Sequence, residues 1–77
     1  MSINITVKLF ATLGQFTPDN SNCYPVADNT SVAALLAELN VPPQEVKIVF
    51  VNSRKADLKT LLNEGDRVGI FPAIGGG

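Results

Sequence analysis

Few side chains in this sequence can do chemistry, and their scarcity directs attention to the end of the chain. There is no histidine, so the usual general base and the commonest nitrogen ligand for metals are both missing. A nucleophile–histidine pair cannot be built. The single cysteine, Cys23, can neither close an internal disulfide nor hold a zinc ion alone. No histidine or cationic side chain lies near it in sequence to lower its pKa, so it reads as a structural residue rather than a persulfide carrier. No phosphate-cradling glycine motif occurs. What remains is the closing segment Pro72-Ala73-Ile74-Gly75-Gly76-Gly77 and the carboxylate of its last residue. Three glycines cannot sustain a helix or strand, because glycine loses the most backbone entropy on ordering. Such a segment is either frayed chain or a thin arm that delivers a carboxylate, and chain ends fray often. The elements before it must decide.

The 77 residues make one small domain, short enough to bury only about 60–65% of the unfolded surface. At 45% hydrophobic and 17% charged, the chain is too apolar for a disordered protein. Net charge is −1 and no run is rich in lysine or arginine, which argues against nucleic acid or an anionic membrane as the main partner. The small basic group Arg54-Lys55, with Lys59 nearby, reads as a solvated loop. No secretory leader or membrane-spanning run is evident, so the cytoplasm is the expected location.

Ile3 to Phe10 alternates apolar and polar residues, placing Ile3, Ile5, Val7 and Leu9 on one face of a strand and Asn4, Thr6, Lys8 and Phe10 on the other. Ala11 to Asn22 carries turn residues and reads as a long soft connection. A short strand follows over Cys23–Ala27, and Pro25, lacking an N–H, assigns it to a sheet edge. Thr30 or Ser31 caps a helix whose Val32, Leu35, Leu36 and Leu39 fall on one stripe. Asn40 and Pro42-Pro43 end it. Lys47–Asn52 reads as a strand apolar on both faces, and Asn52-Ser53 begins a turn. Leu58, Leu61 and Leu62 have the spacing of one short helical turn. Asn63-Glu64-Gly65-Asp66 is a tight turn, with Gly65 as the candidate for positive φ. Arg67 to Phe71 is the last strand, ending at Pro72.

This order predicts an α+β fold of the β-grasp, ubiquitin-like kind: a mixed sheet of four to five strands with one main helix on one face. The expected organisation is a single domain over residues 1–72 and a flexible tail over 73–77. In that arrangement the first and last strands are central and parallel, so the tail leaves from a buried strand. If Val49, Val51, Val68 and Ile70 face the helix, then Ile48, Phe50 and Phe71 face away, joined by Phe10 and flanked by Arg67. An apolar patch of that kind at the root of the tail is a docking surface, since monomers seldom leave one open. A one-residue slip in register would exchange the two faces.

Four segments carry a family resemblance: Val7-Lys8-Leu9-Phe10-Ala11-Thr12-Leu13, Val51-Asn52, Leu62-Asn63-Glu64-Gly65-Asp66-Arg67-Val68, and Phe71-Pro72-Ala73-Ile74-Gly75-Gly76-Gly77. Together they resemble the ThiS/MoaD family of ubiquitin-like sulfur carriers over nearly the whole chain. The Leu-Phe-Ala-Thr-Leu opening and the Phe-Pro before the tail are more similar to the branch of the molybdopterin synthase small subunit than to the thiazole-synthesis branch. Ala73 departs from the second proline common in the former branch, and Gly75 from its alanine or serine.

The resemblance implies a carrier rather than an enzyme. A ubiquitin-activating-type adenylyltransferase would use ATP and Mg²⁺ to adenylate the Gly77 carboxylate. A sulfurtransferase or cysteine desulfurase would then supply sulfur to make a thiocarboxylate. The acceptor would be a molybdopterin synthase large subunit or a thiazole synthase, and the free carrier would be a monomer binding no cofactor of its own. The residues give a physical reason for the activation step. A terminal carboxyl has a pKa of about 3.3–3.7, so at neutral pH it is ionised and a poor electrophile. Gly76 and Gly77 have no Cβ, so their backbone can enter a narrow channel. The partner-contacting set implied is Phe71, Pro72, Ala73, Ile74 and Gly75 at the tail, with Ile48, Phe50, Phe10 and Arg67 on the sheet. Two other readings stay open: an interaction module with an incidental tail, and conjugation of Gly77 to a lysine amine.

Overall fold

A computed structural model describes residues 2–73. Five strands form one sheet: β1 (Ser2–Leu9), β2 (Tyr24–Ala27), β3 (Val46–Val51), β4 (Arg54–Ala56) and β5 (Arg67–Pro72), in the order β2-β1-β5-β3-β4. β1 and β5 are parallel, with Val7 opposite Val68 and Leu9 opposite Ile70. The other pairings are antiparallel. A parallel pair needs a crossover, and here it contains the helix α1 (Val32–Glu38). This is the expected β-grasp arrangement, with Pro25 on the edge strand β2.

The helix begins where Ser31 accepts a hydrogen bond from Ala34 N–H at 3.1 Å, which satisfies one of the free donors of the first turn. It ends with Asn40 at φ 64°. There Val41 N–H donates to Leu36 C=O at 2.9 Å and Asn40 N–H to Ala37 C=O at 3.2 Å, the paired closure of a left-handed C-terminal cap. Val32, Leu35, Leu36 and Leu39 are buried against Ile5, Val7, Val26, Val49, Val68 and Ile70 on one sheet face. The register is therefore the expected one.

Three expectations are corrected. The connection after β1 is not a soft loop: Ala11–Phe16 forms a 3₁₀ segment that buries Leu13 completely, and Ser21–Cys23 forms a second, shorter one. Arg54 and Lys55 are not in a loop but in β4. Asn52 and Ser53, at φ 55° and 69°, make a two-residue hairpin turn whose twist matches the strands it joins. Leu58, Leu61 and Leu62 do not form a helical turn. Asp57–Thr60 is a β-turn with a Thr60 N–H to Asp57 C=O bond of 3.2 Å, reinforced by Asp57 Oδ1 accepting from Lys59 N–H at 2.8 Å. Leu62 enters the core, whereas Leu58 and Leu61 stay exposed.

A polar bracket fixes the start of β5. Asp66, buried to 8% exposure, accepts from Asn52 Nδ2 and from Asn63 N–H, each at 2.8 Å. Asn52 Oδ1 in turn accepts from Arg67 N–H at 3.0 Å. Gly65 takes φ 82°, as expected for this turn, and its N–H donates to Asn4 C=O at 2.8 Å. The turn between β3 and β4 is thus locked to the turn before β5, and together they set where the last strand begins.

Candidate docking groove at the root of the C-terminal segment

β5 alternates strictly. Val68 and Ile70 are buried on the helix face, so Arg67, Gly69 and Phe71 lie on the outer face. On β1 the same alternation puts Lys8 outward beside Gly69. Beyond Leu9 the chain continues the ladder for one more bond, from Phe10 N–H to Ile70 C=O at 3.1 Å. Ala11 then takes φ 52°, a left-handed conformation that costs a residue with a Cβ about 1–2 kcal/mol. This turn of the backbone follows directly on the residue whose ring lies over the outer face.

The Phe10 ring stacks on Phe71 with centroids 4.3 Å apart and planes 3° from parallel, and Phe50 meets Phe71 edge-on at 5.7 Å and 88°. Such pairs contribute about 0.5–1.5 kcal/mol each beyond the area they bury. The three rings, with Lys8, Ser53, Arg67 and Gly69, line an open groove of about 390 Å³. Gly69 forms its floor. A Cβ there would lie 3.4 Å from Phe10 Cε2 and 3.7 Å from Phe71 Cε1, so any larger side chain would press against the two rings.

The structure therefore brings together Phe10, Phe50, Phe71 and Arg67 from the expected set. Ile48 pairs with Phe71 across β3 and β5 but lines a neighbouring hollow with Lys55 and Leu58. Pro72 is buried opposite Val46, where it closes the strand rather than facing the groove. Ala73 is exposed, and its N–H donates to Glu45 C=O at 2.9 Å, so hydrogen bonding runs into the first residue of the expected tail. Ile74, Gly75, Gly76 and Gly77 lie outside the described residues. Lys8, Ser53 and Gly69 were not in the expected set. Lys8 and Gly69 share the outward alternation of Phe10 and Phe71 and could have been found from it. Ser53 joins only through the β3–β4 turn.

The model of the ThiS family matches residues 7–77. The chain belongs to the ThiS family. Solved structures agree on the fold. The Haloferax volcanii HVO 2177 protein superposes with a TM-score of 0.76 at 25% identity, covering 99% of this chain and 88% of that one. Small archaeal modifier protein 1 from H. volcanii gives 0.69 at 20% identity, covering 94% of this chain and 99% of that one. A candidate molybdopterin converting factor subunit 1 from Pyrococcus furiosus gives 0.68 at 22% identity, with coverage of 94% and 99%. No curated protein matches the sequence. ThiS/MoaD proteins are small ubiquitin-like sulfur carriers, generally without catalysis of their own, that work with ubiquitin-activating-type enzymes and partner synthase subunits. No helix among the described residues of this ThiS-family chain is long and apolar enough to cross a membrane.

Proposed function

We propose that this chain is a sulfur carrier whose reactive group is the Gly77 carboxylate. The observation that carries the reading is the placement of β5: a central strand, paired on both sides, ends at Pro72 beside an open aromatic groove. A partner seated on that groove would have the segment from Ala73 onward directed away from a rigid root. A partner enzyme attacks ATP with a Gly77 carboxylate oxygen, displacing pyrophosphate and leaving an acyl adenylate. A persulfide sulfur on the donor then attacks the acyl carbon and displaces AMP, so a C–O bond is broken as a C–S bond forms, and a thiol reductant cleaves the resulting S–S bond to release the thiocarboxylate and leave the donor in a disulfide. Gly76 and Gly77 enter the partner's channel because they lack a Cβ.

The pathway we favour is molybdopterin synthesis, with this chain as the small subunit of the synthase. Phe71-Pro72 before the tail supports that choice, and so does the fold shared with the P. furiosus protein. Thiamin thiazole synthesis is the alternative within the same chemistry. Conjugation to lysine amines, which the name of the archaeal modifier proteins suggests for those relatives, would require the same activation.

The test removes Gly76 and Gly77. The shortened chain should keep its far-UV spectrum and melting temperature while losing all adenylating-enzyme-dependent exchange of pyrophosphate into ATP. Exchange that persists in the shortened chain would refute the reading. Identification of the co-purifying subunit, a molybdopterin synthase large subunit or a thiazole synthase, decides the pathway.

A further inference from the structure

β4 is too short to cover β3. It pairs with Val49, Phe50 and Val51 only, whereas β3 begins at Val46. β4 is also the outermost strand on that side of the sheet, so along Val46–Ile48 the edge of β3 away from β5 has no strand beside it among the described residues. A hollow of about 280 Å³ lies there, with apolar walls from Val46, Ile48 and Leu58. Leu58 is 41% exposed, in a turn whose other side chains are polar. The pairing register shifts between Val46 and Ile48, which leaves Lys47 as the extra residue of β3, and it lines the hollow together with Lys55. The one carboxylate lining it, that of Asp57, is engaged in its own turn, accepting from Lys59 N–H at 2.8 Å and from the Thr60 hydroxyl at 3.4 Å. Lys47, Arg54, Lys55 and Lys59 are four of the chain's 6 basic residues, and all belong to β3, β4 or the turn after it. This edge is therefore basic in a protein of net charge −1.

We infer that this edge takes up an extended acidic segment of a partner protein, which adds as a strand beside Val46–Ile48, seats one large apolar side chain against Ile48 and Leu58, and sets carboxylates against Lys47 and Lys55. Strand addition of this kind draws affinity from backbone hydrogen bonds and specificity from side-chain pockets. Lysines and a bulge also guard an edge against pairing with its like. A second copy of this chain would bring the same lysines to the contact, and like charges placed opposite each other across a strand pair are destabilising. The charge pattern thus turns away self-association and basic segments and admits the opposite sign. The site lies across β3 from β5, and the inference does not depend on the chemistry at Gly77.

The probe is a fluorescein-labelled peptide of sequence Glu-Asp-Thr-Leu-Thr-Asp-Glu, titrated with the full chain and followed by anisotropy. Binding should saturate, and it should weaken toward ~1 M salt, where the Debye length shrinks from ~10 to ~3 Å. Amide exchange read by NMR should slow within Val46–Ile48 when the peptide is bound. A peptide with proline in place of leucine lacks a backbone donor, and it should bind about tenfold or more weakly. A peptide with lysine at every acidic position should lose affinity by about tenfold or more as well. Leu58→Ser and the Lys47→Gln, Lys55→Gln pair should each weaken binding by at least about fivefold at ~0.1 M salt. Because Leu58 is already exposed, Leu58→Ser should melt close to the parent. The Gln15→Glu, Asn20→Glu pair changes net charge by the same amount at exposed positions away from this edge, and it should bind as the parent does.

An absence of saturable binding would overturn the inference, as would equal affinity for the proline or lysine peptide, or equal affinity of the Leu58→Ser chain. Slowed exchange or shifted resonances confined to Lys8, Phe10 and Arg67 would assign the peptide to the aromatic groove instead and also overturn it. So would a dimer of the chain alone that Leu58→Ser dissolves, since that would give the edge to a second copy.

Discussion

At the scale of single residues, Asn52 does more than any sequence pattern suggests. It takes positive φ in the β3–β4 turn, donates to the Asp66 carboxylate, and accepts from Arg67 N–H. Asn52→Ala leaves one oxygen of a nearly buried carboxylate without its side-chain partner and puts a Cβ residue without a local hydrogen bond at positive φ. The expected cost is about 1–3 kcal/mol, read as a lower urea midpoint with an unchanged slope. Asp66→Ala should cost a similar amount. The double variant should fall short of the sum by about 0.5 kcal/mol or more, because both changes break one network. Additive losses would show that the two residues act independently. The site residues were legible at this scale where side chains alternate: Phe10, Phe50, Phe71 and Arg67 follow from strand parity alone. Gly69 shares the same outward parity, but its closeness to the rings of Phe10 and Phe71 follows only from where those two side chains are placed.

At the scale of elements, the long strands and the helix were readable because each buries one face and so carries a period. β4 was not. It is three residues long, Arg54-Lys55-Ala56, and lies at an edge, so no buried row imposes alternation on it. The 3₁₀ segment Ala11–Phe16 was also unreadable, because its single buried side chain, Leu13, makes no repeat. That residue nonetheless seals one end of the core. Leu13→Ala should destabilise by about 2–5 kcal/mol, measurable by thermal or urea unfolding. A loss below about 1 kcal/mol would mean that the segment collapses onto the cavity without penalty.

The edge strand β2 is tied to the helix by Tyr24 Oη donating to Glu38 Oε1 at 3.3 Å. Burial, followed by the charge and hydrogen bond of Glu38, raises the Tyr24 hydroxyl above its ordinary 10.0. The folded chain therefore holds this proton more tightly than the unfolded chain. The associated stability is present below pH 10 and is lost as pH rises through the raised folded value. Tyr24→Phe should flatten that alkaline decline in melting temperature. An identical decline in both proteins would remove Tyr24 as its source.

At the scale of the whole molecule, the fold acts as a mount. One sheet face and one helix supply the core, and the opposite face carries an aromatic groove between cationic side chains. The parallel pairing of β1 and β5 places the last strand centrally, so it cannot fray without opening the core. The edge prediction for Pro25, the central β5 and the helix-facing valines were all recoverable from sequence. Cross-strand register at the outer face was not, because it depends on turns such as Asn52-Ser53 and on the bulge between Val46 and Ile48. Membership of the ThiS family gives the chemistry its class, and the proposed role puts the reactive group on the Gly77 carboxylate, where no histidine is called for.

The most direct test is an intact-mass measurement on the chain after incubation with its adenylating enzyme, ATP, Mg²⁺ and a sulfur donor. The account predicts a mass gain equal to the exchange of one oxygen for sulfur, confined by fragmentation to Gly77 and absent when Gly76 and Gly77 are removed. An unchanged mass with enzymes that load a known carrier, or sulfur located on Cys23 instead, would contradict it.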